Sequence, residues 1–449
     1  MSDPFDVVVI GAGPAGEHAT LRLLKRGLRV ALVERELIGG ECAYWGCMPS
    51  KTLIRAPETR AEARRAAGVQ EPALDWPELA KYRDYMIRDL DDSGEISSYE
   101  ERGCTVVKGR AEILGPGRVQ AGDRVLETER IVIATGTDAA IPPIDGLADS
   151  GYWTNREATT LQQIPASVIV LGGGAIGVEL GQFLRRMGAE VTLVEAADRL
   201  LAGNEPDVSE RAERALTEDG VDVMTRTAAE RVQSRDGARI VTLADRREIS
   251  AQELLVATGR RPRVQDIGLE ALGIEPDSKG ISVDERCRAA DRVWAIGDVT
   301  GIMPFTHAGK YQARIAVADI CGEDVRADYG AIPRVVFCDP EIAAVGLTGA
   351  RVRERGTEIL TSRIELADSI ARPHTYEQNP RGTLGLLADA ERKILIGAWA
   401  WAPMASEWIH YAALAIKAQV PLAVLRDTVP QFPTYAEAFL VGLEALEPA

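Results

Sequence analysis

Two cysteines, Cys42 and Cys47, lie five positions apart in the segment from Gly39 to Lys51. Such a pair could supply half of a zinc site, but no second cysteine or histidine pair with ligand spacing follows in the sequence. A redox-active disulfide is therefore the better interpretation. Five residues of a regular helix rise roughly 7.5 Å, which exceeds the roughly 7 Å between α-carbons that a disulfide can span. We therefore expect a distorted turn, which Gly46 makes possible.

Composition excludes several other classes of protein. The 449 residues are enough for two to four domains, and the net charge of −16 argues against nucleic acid or anionic lipid as the main partner. The sequence shows no secretory signal or membrane segment, so we expect a cytoplasmic protein. Six cysteines in this length do not form a disulfide scaffold, and we expect no resident metal. The four isolated cysteines, interpreted as small buried side chains, are Cys104, Cys287, Cys321 and Cys338.

A glycine pattern typical of dinucleotide-binding turns occurs twice. The two copies, each with an acidic residue at the same distance after the last glycine, are Gly11, Gly13, Gly16 and Glu34, and Gly172, Gly174, Gly177 and Glu195. Each copy follows an apolar strand and opens a helix. The first glycine permits a tight turn, the second admits a pyrophosphate, and the third lets helix and strand pack. Helix N-termini favour such anions, so two bound dinucleotides are predicted.

The acidic residues of the two copies predict ribose binding. Glu34 and Glu195 can each accept a hydrogen bond from a ribose hydroxyl, although a solvated carboxylate at a strand end is the alternative for Glu195. A carboxylate at Glu195 repels a 2′-phosphate, so NADH is predicted in preference to NADPH. Arg199 lies close enough in sequence to weaken that preference, and NADPH stays the alternative.

A second repeat organises the rest of the chain. Two predicted strands end in Ala-Thr-Gly, at Gly136 and Gly259, and a third ends in Gly-Asp at Asp298. From about Tyr329 the sequence changes to short strands followed by a long predicted helix from about Ser406 to Ala418. These patterns indicate an α/β chain with a different C-terminal region.

Four motifs carry a resemblance to a known family. They are GGxCxxxGCxPSK at Gly39–Lys51, TGxxP at Thr258–Pro262, AIGD at Ala295–Asp298 and DPEIAxVGLT at Asp339–Thr348. With them the chain resembles the pyridine nucleotide-disulfide oxidoreductases, in the part of the family that contains dihydrolipoamide dehydrogenase and mercuric reductase.

The resemblance implies an α/β fold with two Rossmann-like dinucleotide-binding domains and an α+β C-terminal dimerisation domain. The expected regions are 1–147 and 264–328 for FAD, 148–263 for NAD(P) and 329–449 for the interface of a homodimer. In such a protein hydride passes from NADH to FAD, and two electrons then pass to the disulfide.

Specific roles are implied at matching positions. Cys47 resembles the sulfur that contacts the flavin and forms a charge-transfer thiolate, and Cys42 resembles the interchange thiol that attacks substrate. Lys51 matches the lysine near flavin N5, and Glu179 matches its ion-pair partner. The further positions at which the family binds its cofactors are Gly40, Ala111, Thr135, Gly136, Gly259, Asp298 and Thr306.

The chain departs from the family at its C-terminal HPTxxE motif. The family's histidine, supplied by the other subunit, is the acid/base for the interchange thiol, and here it is replaced by Phe432, whereas Glu437 is kept. A phenyl ring cannot transfer a proton. Phenylalanine here also resembles the ketopropyl-coenzyme M carboxylase branch, although that branch has a histidine where this chain has Glu437. The remaining histidines, for which structural or surface roles are expected, are His18, His307, His374 and His410.

We therefore expect an enzyme that reduces a small disulfide or another electrophile and uses dihydrolipoamide poorly or not at all. An NAD(P)H:quinone reductase of the diaphorase type, which would not need the disulfide, is the first alternative. A flavoprotein redox sensor, in which Cys42 and Cys47 switch a partner, is the second. The substrate itself cannot be read from the sequence.

Overall fold

The computed structural model describes residues 5–356 and 358–448 and contains two compact units. The first unit combines the segment up to Ser50 with Lys81–Ala140 and Gly259–Asp328. The second combines Lys51–Ala80, Ile141–Thr258 and the segment from Tyr329 onward. The division into four regions that the resemblance implies stays a prediction.

The strands are short and are distributed along the whole chain. Those before residue 200 are β1 (Val7–Ile10), β2 (Val30–Glu34), β3 (Thr105–Lys108), β4 (Ala111–Gly115), β5 (Arg118–Ala121), β6 (Arg124–Glu127), β7 (Ile131–Ile133), β8 (Thr137–Ala139), β9 (Ser167–Leu171) and β10 (Glu190–Val194). The later strands are β11 (Asp222–Met224), β12 (Ala229–Arg235), β13 (Ala238–Leu243), β14 (Glu248–Ala251), β15 (Glu253–Val256), β16 (Arg260–Pro262), β17 (Arg288–Ala290), β18 (Val293–Ala295), β19 (Arg334–Val336), β20 (Glu341–Gly346), β21 (Ile359–Glu365), β22 (Thr383–Asp389), β23 (Ile394–Ala402) and β24 (Glu447–Pro448).

The helices lie between groups of strands along the chain. They are α1 (Pro14–Lys25), α2 (Gly40–Tyr44), α3 (Cys47–Arg65), α4 (Trp76–Met86), α5 (Ser93–Glu101), α6 (Asn155–Thr159), α7 (Ala175–Arg186), α8 (Pro206–Glu218), α9 (Thr306–Ile320), α10 (Gly349–Arg355), α11 (Leu366–Ser369), α12 (Arg372–Tyr376), α13 (Ala405–Trp408), α14 (His410–Lys417), α15 (Leu422–Arg426) and α16 (Glu437–Glu444).

The main sheet of the first unit has the order β17–β18–β7–β1–β2–β3, and all of its neighbouring pairs except β17–β18 are parallel. β1 is apolar at every position because both faces of the sheet are covered. Val7 and Val9 pack in a core with α1 and α9, whereas Val8 and Ile10 pack in a core with the antiparallel sheet β4–β5–β6.

The second unit repeats this arrangement and adds another sheet. Its parallel sheet has the order β11–β10–β9–β15, and α7 follows β9 as α1 follows β1. Val168 and Val170 face one core, and Ile169 and Leu171 face another that includes residues of the antiparallel sheet β12–β13–β14. The segment after Tyr329 forms a six-stranded antiparallel sheet, β19–β20–β23–β22–β21–β24, with α14 and α16 packed on it. The predicted fold class is confirmed.

One predicted helix is interrupted. The segment from Ser406 to Ala418 forms α13 and α14, which are separated by Ile409. Ile409 keeps helical dihedral angles (φ −59°, ψ −21°), so the chain direction changes little at the interruption.

Candidate active site

The two glycine turns have the same backbone geometry. Gly11 has φ +98° and Gly172 has φ +109°, values that favour glycine. A β-carbon at Gly11 would collide with the carbonyl oxygen of Ala134, and one at Gly172 would collide with that of Ala257. Ala134 and Ala257 begin the two Ala-Thr-Gly repeats. In each copy, therefore, the two sequence repeats meet at the first glycine.

The second and third glycines shape a concave helix N-terminus. A β-carbon at Gly16 or Gly177 would strike the carbonyl oxygen of the first glycine in its own motif, which explains why helix and strand can pack so closely. At Gly13 and Gly174, no described atom beyond the adjoining chain lies within 4 Å of such a β-carbon. Gly13 and Gly174 are the N-caps of α1 and α7, and no described side chain caps either helix. Both turns therefore fit a pyrophosphate.

The acidic residues of the two copies occupy equivalent positions. The Glu34 carboxylate accepts hydrogen bonds from the backbone N–H groups of Ala12 and Glu36, both at 2.7 Å. The Glu195 carboxylate accepts from the two equivalent backbone groups, at 2.6 and 2.7 Å. Each carboxylate is thus fixed beside the second residue of its glycine turn, where a ribose hydroxyl would approach.

The cysteine motif forms two helices with a break between them. Trp45, with φ −136° and ψ 0°, leaves the helical region after α2, and α3 begins at Cys47. Gly46 comes so close to the preceding helix that a β-carbon would lie 3.0 Å from the carbonyl oxygen of the residue five positions earlier. The predicted distortion is confirmed. At the start of α2, Gly40 (φ +58°) packs against Gly13, where a β-carbon would lie 2.7 Å from the α-carbon of Gly13.

Both cysteine side chains contact the hydroxyl group of Thr306. The structure has the pair in the dithiol form, with Cys42 and Cys47 hydrogen-bonded to each other. The Thr306 hydroxyl donates to the Cys42 sulfur at 3.1 Å and lies 3.7 Å from the Cys47 sulfur. The hydrogen bond with Cys47, followed by burial, raises the pKa of Cys42 above its ordinary value of 9.0, and the Thr306 hydroxyl acts against that increase.

Buried polar contacts hold the segment that leads to Cys42. The Tyr44 hydroxyl donates to the carbonyl oxygen of Ile38 at 3.0 Å, and the backbone N–H of Ile38 donates to Asp92 at 2.8 Å. Lys108 forms an ion pair with Asp92 at 2.6 Å, and Arg88 lies over the Tyr44 ring. Burial raises the pKa of Tyr44 to about 12, so this phenol stays protonated and keeps donating its hydrogen bond.

Lys51 and Glu179 form the expected ion pair. The Lys51 ammonium lies 2.6 Å from Glu179, and the second Glu179 oxygen accepts from the backbone N–H of Phe337 at 2.8 Å. The ammonium also lies over the Phe337 ring, 4.8 Å from its centroid. Glu179 is buried, and these contacts fix the position of the charge on Lys51.

Asp298 lies at the end of β18 in a network that sequence reasoning missed. The Thr137 hydroxyl donates to Asp298 at 3.0 Å, and Arg260 donates to the Thr137 hydroxyl at 2.7 Å. Burial raises the pKa of Asp298, whereas Arg260 and Thr137 lower it. The hydroxyl of Thr135 donates to the carbonyl oxygen of Arg263 at 2.7 Å. The other predicted positions in the first unit are Ala111, buried in β4, and Gly136 and Gly259, with φ +72° and +128°.

Glu41, the residue before Cys42, is held by two arginines. Arg263 lies 3.3 Å from Glu41 and 2.5 Å from Asp138, and Arg260 lies 3.7 Å from Glu41. This network was also missed. The only signal for it was the basic run of residues 260–263 directly after the second Ala-Thr-Gly.

The C-terminal segment has one exposed aromatic side chain and two buried ones. Phe432 is 74% exposed in the subunit, as an interface residue would be. Tyr435 and Phe439 are only 4% and 1% exposed. Tyr435 stacks on Trp408, and the Phe439 ring contacts both Trp408 and Tyr411, so these two side chains belong to the core of their own subunit. Glu437 accepts a hydrogen bond from the backbone N–H of Thr434 at 3.2 Å.

The isolated histidines and cysteines have local contacts. His18 accepts from Arg22 at 2.8 Å, and His374 contacts the carbonyl oxygen of Ala367 at 2.8 Å. Three of the isolated cysteines are buried, and Cys321 is half-buried beside a core. In the described part of the chain, no helix is long and apolar enough to cross a membrane.

Comparison with known proteins gives the same family along most of the chain. The protein-family model described as pyridine nucleotide-disulphide oxidoreductase matches residues 5–313 of the sequence. The family model for the dimerisation domain of these proteins matches residues 332–441. Mercuric reductase of Streptomyces lividans is 35% identical over 98% of this chain and 96% of its own length. Dihydrolipoyl dehydrogenase of Thermus scotoductus is 32% identical over 98% and 97%.

A solved structure shares the fold at a similar level. The Cu(II) complex of the HOCl-induced flavoprotein disulfide reductase RclA from Escherichia coli has a TM-score of 0.87 and 28% identity, over 98% of this chain and 99% of that one. The dimerisation-domain match supports a homodimer. The chain belongs to the pyridine nucleotide-disulphide oxidoreductase family and is a flavin-dependent enzyme of that family.

Proposed function

We propose that this enzyme oxidises NADH and passes the electrons through Cys42 and Cys47 to a small disulfide or another small electrophile. The observation that carries the proposal is the placement of both cysteine side chains around the Thr306 hydroxyl, in hydrogen-bonding contact with each other. Two cysteine side chains in hydrogen-bonding contact can form and break a disulfide with little movement of the backbone.

The first unit fits FAD. Gly13 leaves room at the N-terminus of α1 for a pyrophosphate, Glu34 is fixed where a ribose would lie, and Asp298 is held at the end of β18 by Thr137. When bound, FAD would accept the hydride of NADH and pass an electron pair to the two cysteines. From the resemblance we assign Lys51 to the flavin, with Glu179 keeping its charge in place.

The second unit favours NADH as the coenzyme. Glu195 holds a negative charge beside the turn formed by Gly172 and Gly174, and a 2′-phosphate at that place would be repelled. Arg199 donates to the carbonyl oxygen of Ala202 at 2.9 Å and pairs with Asp198. Because Arg199 is engaged by these two groups, it offers little compensation to a 2′-phosphate.

The substrate in this proposal is a small electrophile that accepts electrons, and dihydrolipoamide, a dithiol that donates them, is not favoured. The relatives include proteins named for mercuric ion and for dihydrolipoamide, and the structural neighbour is a disulfide reductase in complex with Cu(II). All three fit a site whose reactive groups are two thiols. Phe432 gives Cys42 no proton acceptor, which disfavours a substrate that depends on the family's histidine.

A homodimer would place the C-terminal motif against the partner's cysteines. The large apolar side chains exposed in this region are Met404, Leu414, Val424, Val429 and Phe432. Covering them by a second copy would remove apolar surface from water. The six cysteines also suit a reducing compartment, so we retain the cytoplasm as the proposed location.

Anaerobic reduction by NADH tests the proposal. The enzyme, saturated with FAD, is expected to gain two titratable thiols per subunit and then to reduce a small disulfide or Hg(II). Cys42→Ser should abolish disulfide reduction. If quinone reduction is the faster reaction and survives in Cys42→Ser, while disulfide reduction by the native enzyme is negligible, the diaphorase alternative replaces this proposal.

A further inference from the structure

We propose that Thr306 is a thiol-tuning residue, whose hydroxyl stabilises the thiolate of Cys42 while that cysteine attacks the substrate. The inference rests on the proposed function, since it concerns the same cysteine pair. It assigns to Thr306 a role different from lining the flavin site, which is all that the resemblance implies for this position.

The geometry points to Cys42 as the acceptor. The Thr306 oxygen is 3.1 Å from the Cys42 sulfur and 3.7 Å from the Cys47 sulfur, and a hydroxyl has one proton to donate. Thr306 is the first residue of α9, a helix of 15 residues, and its hydroxyl contacts the sulfurs of Cys42 and Cys47. The hydroxyl of Thr306 is therefore directed at the sulfurs.

The N-terminus of α9 adds to the effect. The backbone N–H groups in the first turn of a helix carry a partial positive charge, which favours a nearby anion such as a thiolate. Because Thr306 is in that turn, the sulfur that it contacts lies close to this end of the helix.

The balance of protons and charge in the reaction shows at which step Thr306 would act. NADH and a disulfide yield NAD⁺, one thiol and one thiolate, because a hydride carries two electrons and one proton. Hydrogen bonding with Cys47 and burial favour the neutral form of Cys42, and the resemblance assigns the charge to Cys47. When Cys42 attacks a substrate disulfide RSSR, it must lose its proton, and the Cys47 thiolate can accept it.

The second half of the reaction returns that proton. Cys47 then attacks the Cys42–substrate disulfide, and the products are the Cys42–Cys47 disulfide, RSH and RS⁻. One proton and one negative charge are present on each side, so no histidine is required for balance. During the first attack Cys42 carries the developing charge, and the Thr306 hydroxyl is the side-chain donor that already points at its sulfur.

Alkylation of the reduced holoenzyme tests this role without a substrate. FAD-saturated protein is reduced with NADH under anaerobic conditions and treated with iodoacetamide, and the rates at Cys42 and Cys47 are followed separately by peptide mass spectrometry. In Thr306→Val, which keeps the shape and removes the hydroxyl, alkylation of Cys42 should slow by about tenfold, the loss of one hydrogen bond to a charged group. Thr306→Ser should recover most of the rate.

Thr105→Val is the matched control, because it makes the same chemical change in β3, in the same unit. Unchanged alkylation of Cys42 in Thr306→Val, with normal flavin content, would overturn the proposal. If the valine variant fails to bind flavin, Thr306→Ala and Thr306→Ser are compared instead, and equal rates overturn it. If NADH releases no new thiols in the native enzyme, the proposed function has failed, and this outcome is separate from any effect of Thr306.

Discussion

Replacing Phe432 by histidine should convert this enzyme into an efficient reductase of lipoamide. By the resemblance, the change recreates the HPTxxE motif, whose glutamate corresponds to Glu437 in this chain. The Glu437 carboxylate turns back toward the start of the motif, where it accepts from the backbone N–H of Thr434 at 3.2 Å. A histidine at position 432 would therefore have a carboxylate within the same turn to orient its ring.

The expected gain in kcat/KM for lipoamide is about 10²-fold, the low end of what a positioned acid/base contributes and equivalent to about 2.7 kcal/mol of transition-state stabilisation. The fold should tolerate the change. Phe432 is 74% exposed in the subunit, so its replacement leaves no cavity, and the free energy of unfolding should change by less than about 0.5 kcal/mol. The assay is NADH oxidation with lipoamide at several pH values, because only the variant should depend on a group that titrates near pH 6.5.

Two controls distinguish the effect of adding a base from the effect of removing the aromatic ring. Phe432→Leu removes the aromatic ring without adding a base and should not give the gain, and Phe432→His combined with Glu437→Gln should lose most of it. Wild-type reduction of lipoamide as fast as that of the histidine variant would refute the reasoning, because it would show that another group already supplies the proton.

Three further outcomes are expected. Glu195→Arg should shift the ratio of kcat/KM values toward NADPH, and a native preference for NADPH of about tenfold or more would show that Arg199 or another cation decides the site. Light scattering at micromolar concentration should give a dimer, whereas a monomer would contradict the interface assigned to Phe432. The raised pKa of Cys42 means that the reduced folded state binds its proton more tightly than the unfolded state does. Its contribution to stability is therefore present below pH 9.0 and is lost as the pH rises further, so thermal melts of reduced protein should fall more steeply above that pH than those of Cys42→Ser.

The sequence predicted the dinucleotide turns well because their chemistry is local. Each glycine has a specific steric reason, and the spacing to Glu34 or Glu195 is set by one helix and one strand. The break between Cys42 and Cys47 was predictable for a similar reason, since the length of five helical residues does not match a disulfide.

Contacts that join distant segments were not predictable. Nothing in the sequence near Asp298 indicates that Thr137 and Arg260 hold it, because these residues meet only through the pairing of β8 with β16. The apolar pattern at Tyr435 and Phe439 likewise shows that these side chains are buried without showing which residues cover them. The same limitation applied to Thr306, whose closeness to the sulfurs depends on the packing of α9.

The near identity of the two glycine turns shows where the enzyme's specificity must lie. Their carbonyl contacts and their carboxylates agree, and their sequences differ at the three positions between the shared glycines, where Ala12, Pro14 and Ala15 correspond to Gly173, Ala175 and Ile176. A β-carbon at Gly173 would lie 2.5 Å from the end of the Leu200 side chain, so a larger residue there would force Leu200 to shift. Two turns this similar can hold dinucleotides but cannot choose a substrate. We therefore expect the choice to be made around Cys42 and at Phe432, where the sequence departs from the pattern implied by the resemblance, and substitutions there should change what the enzyme reduces.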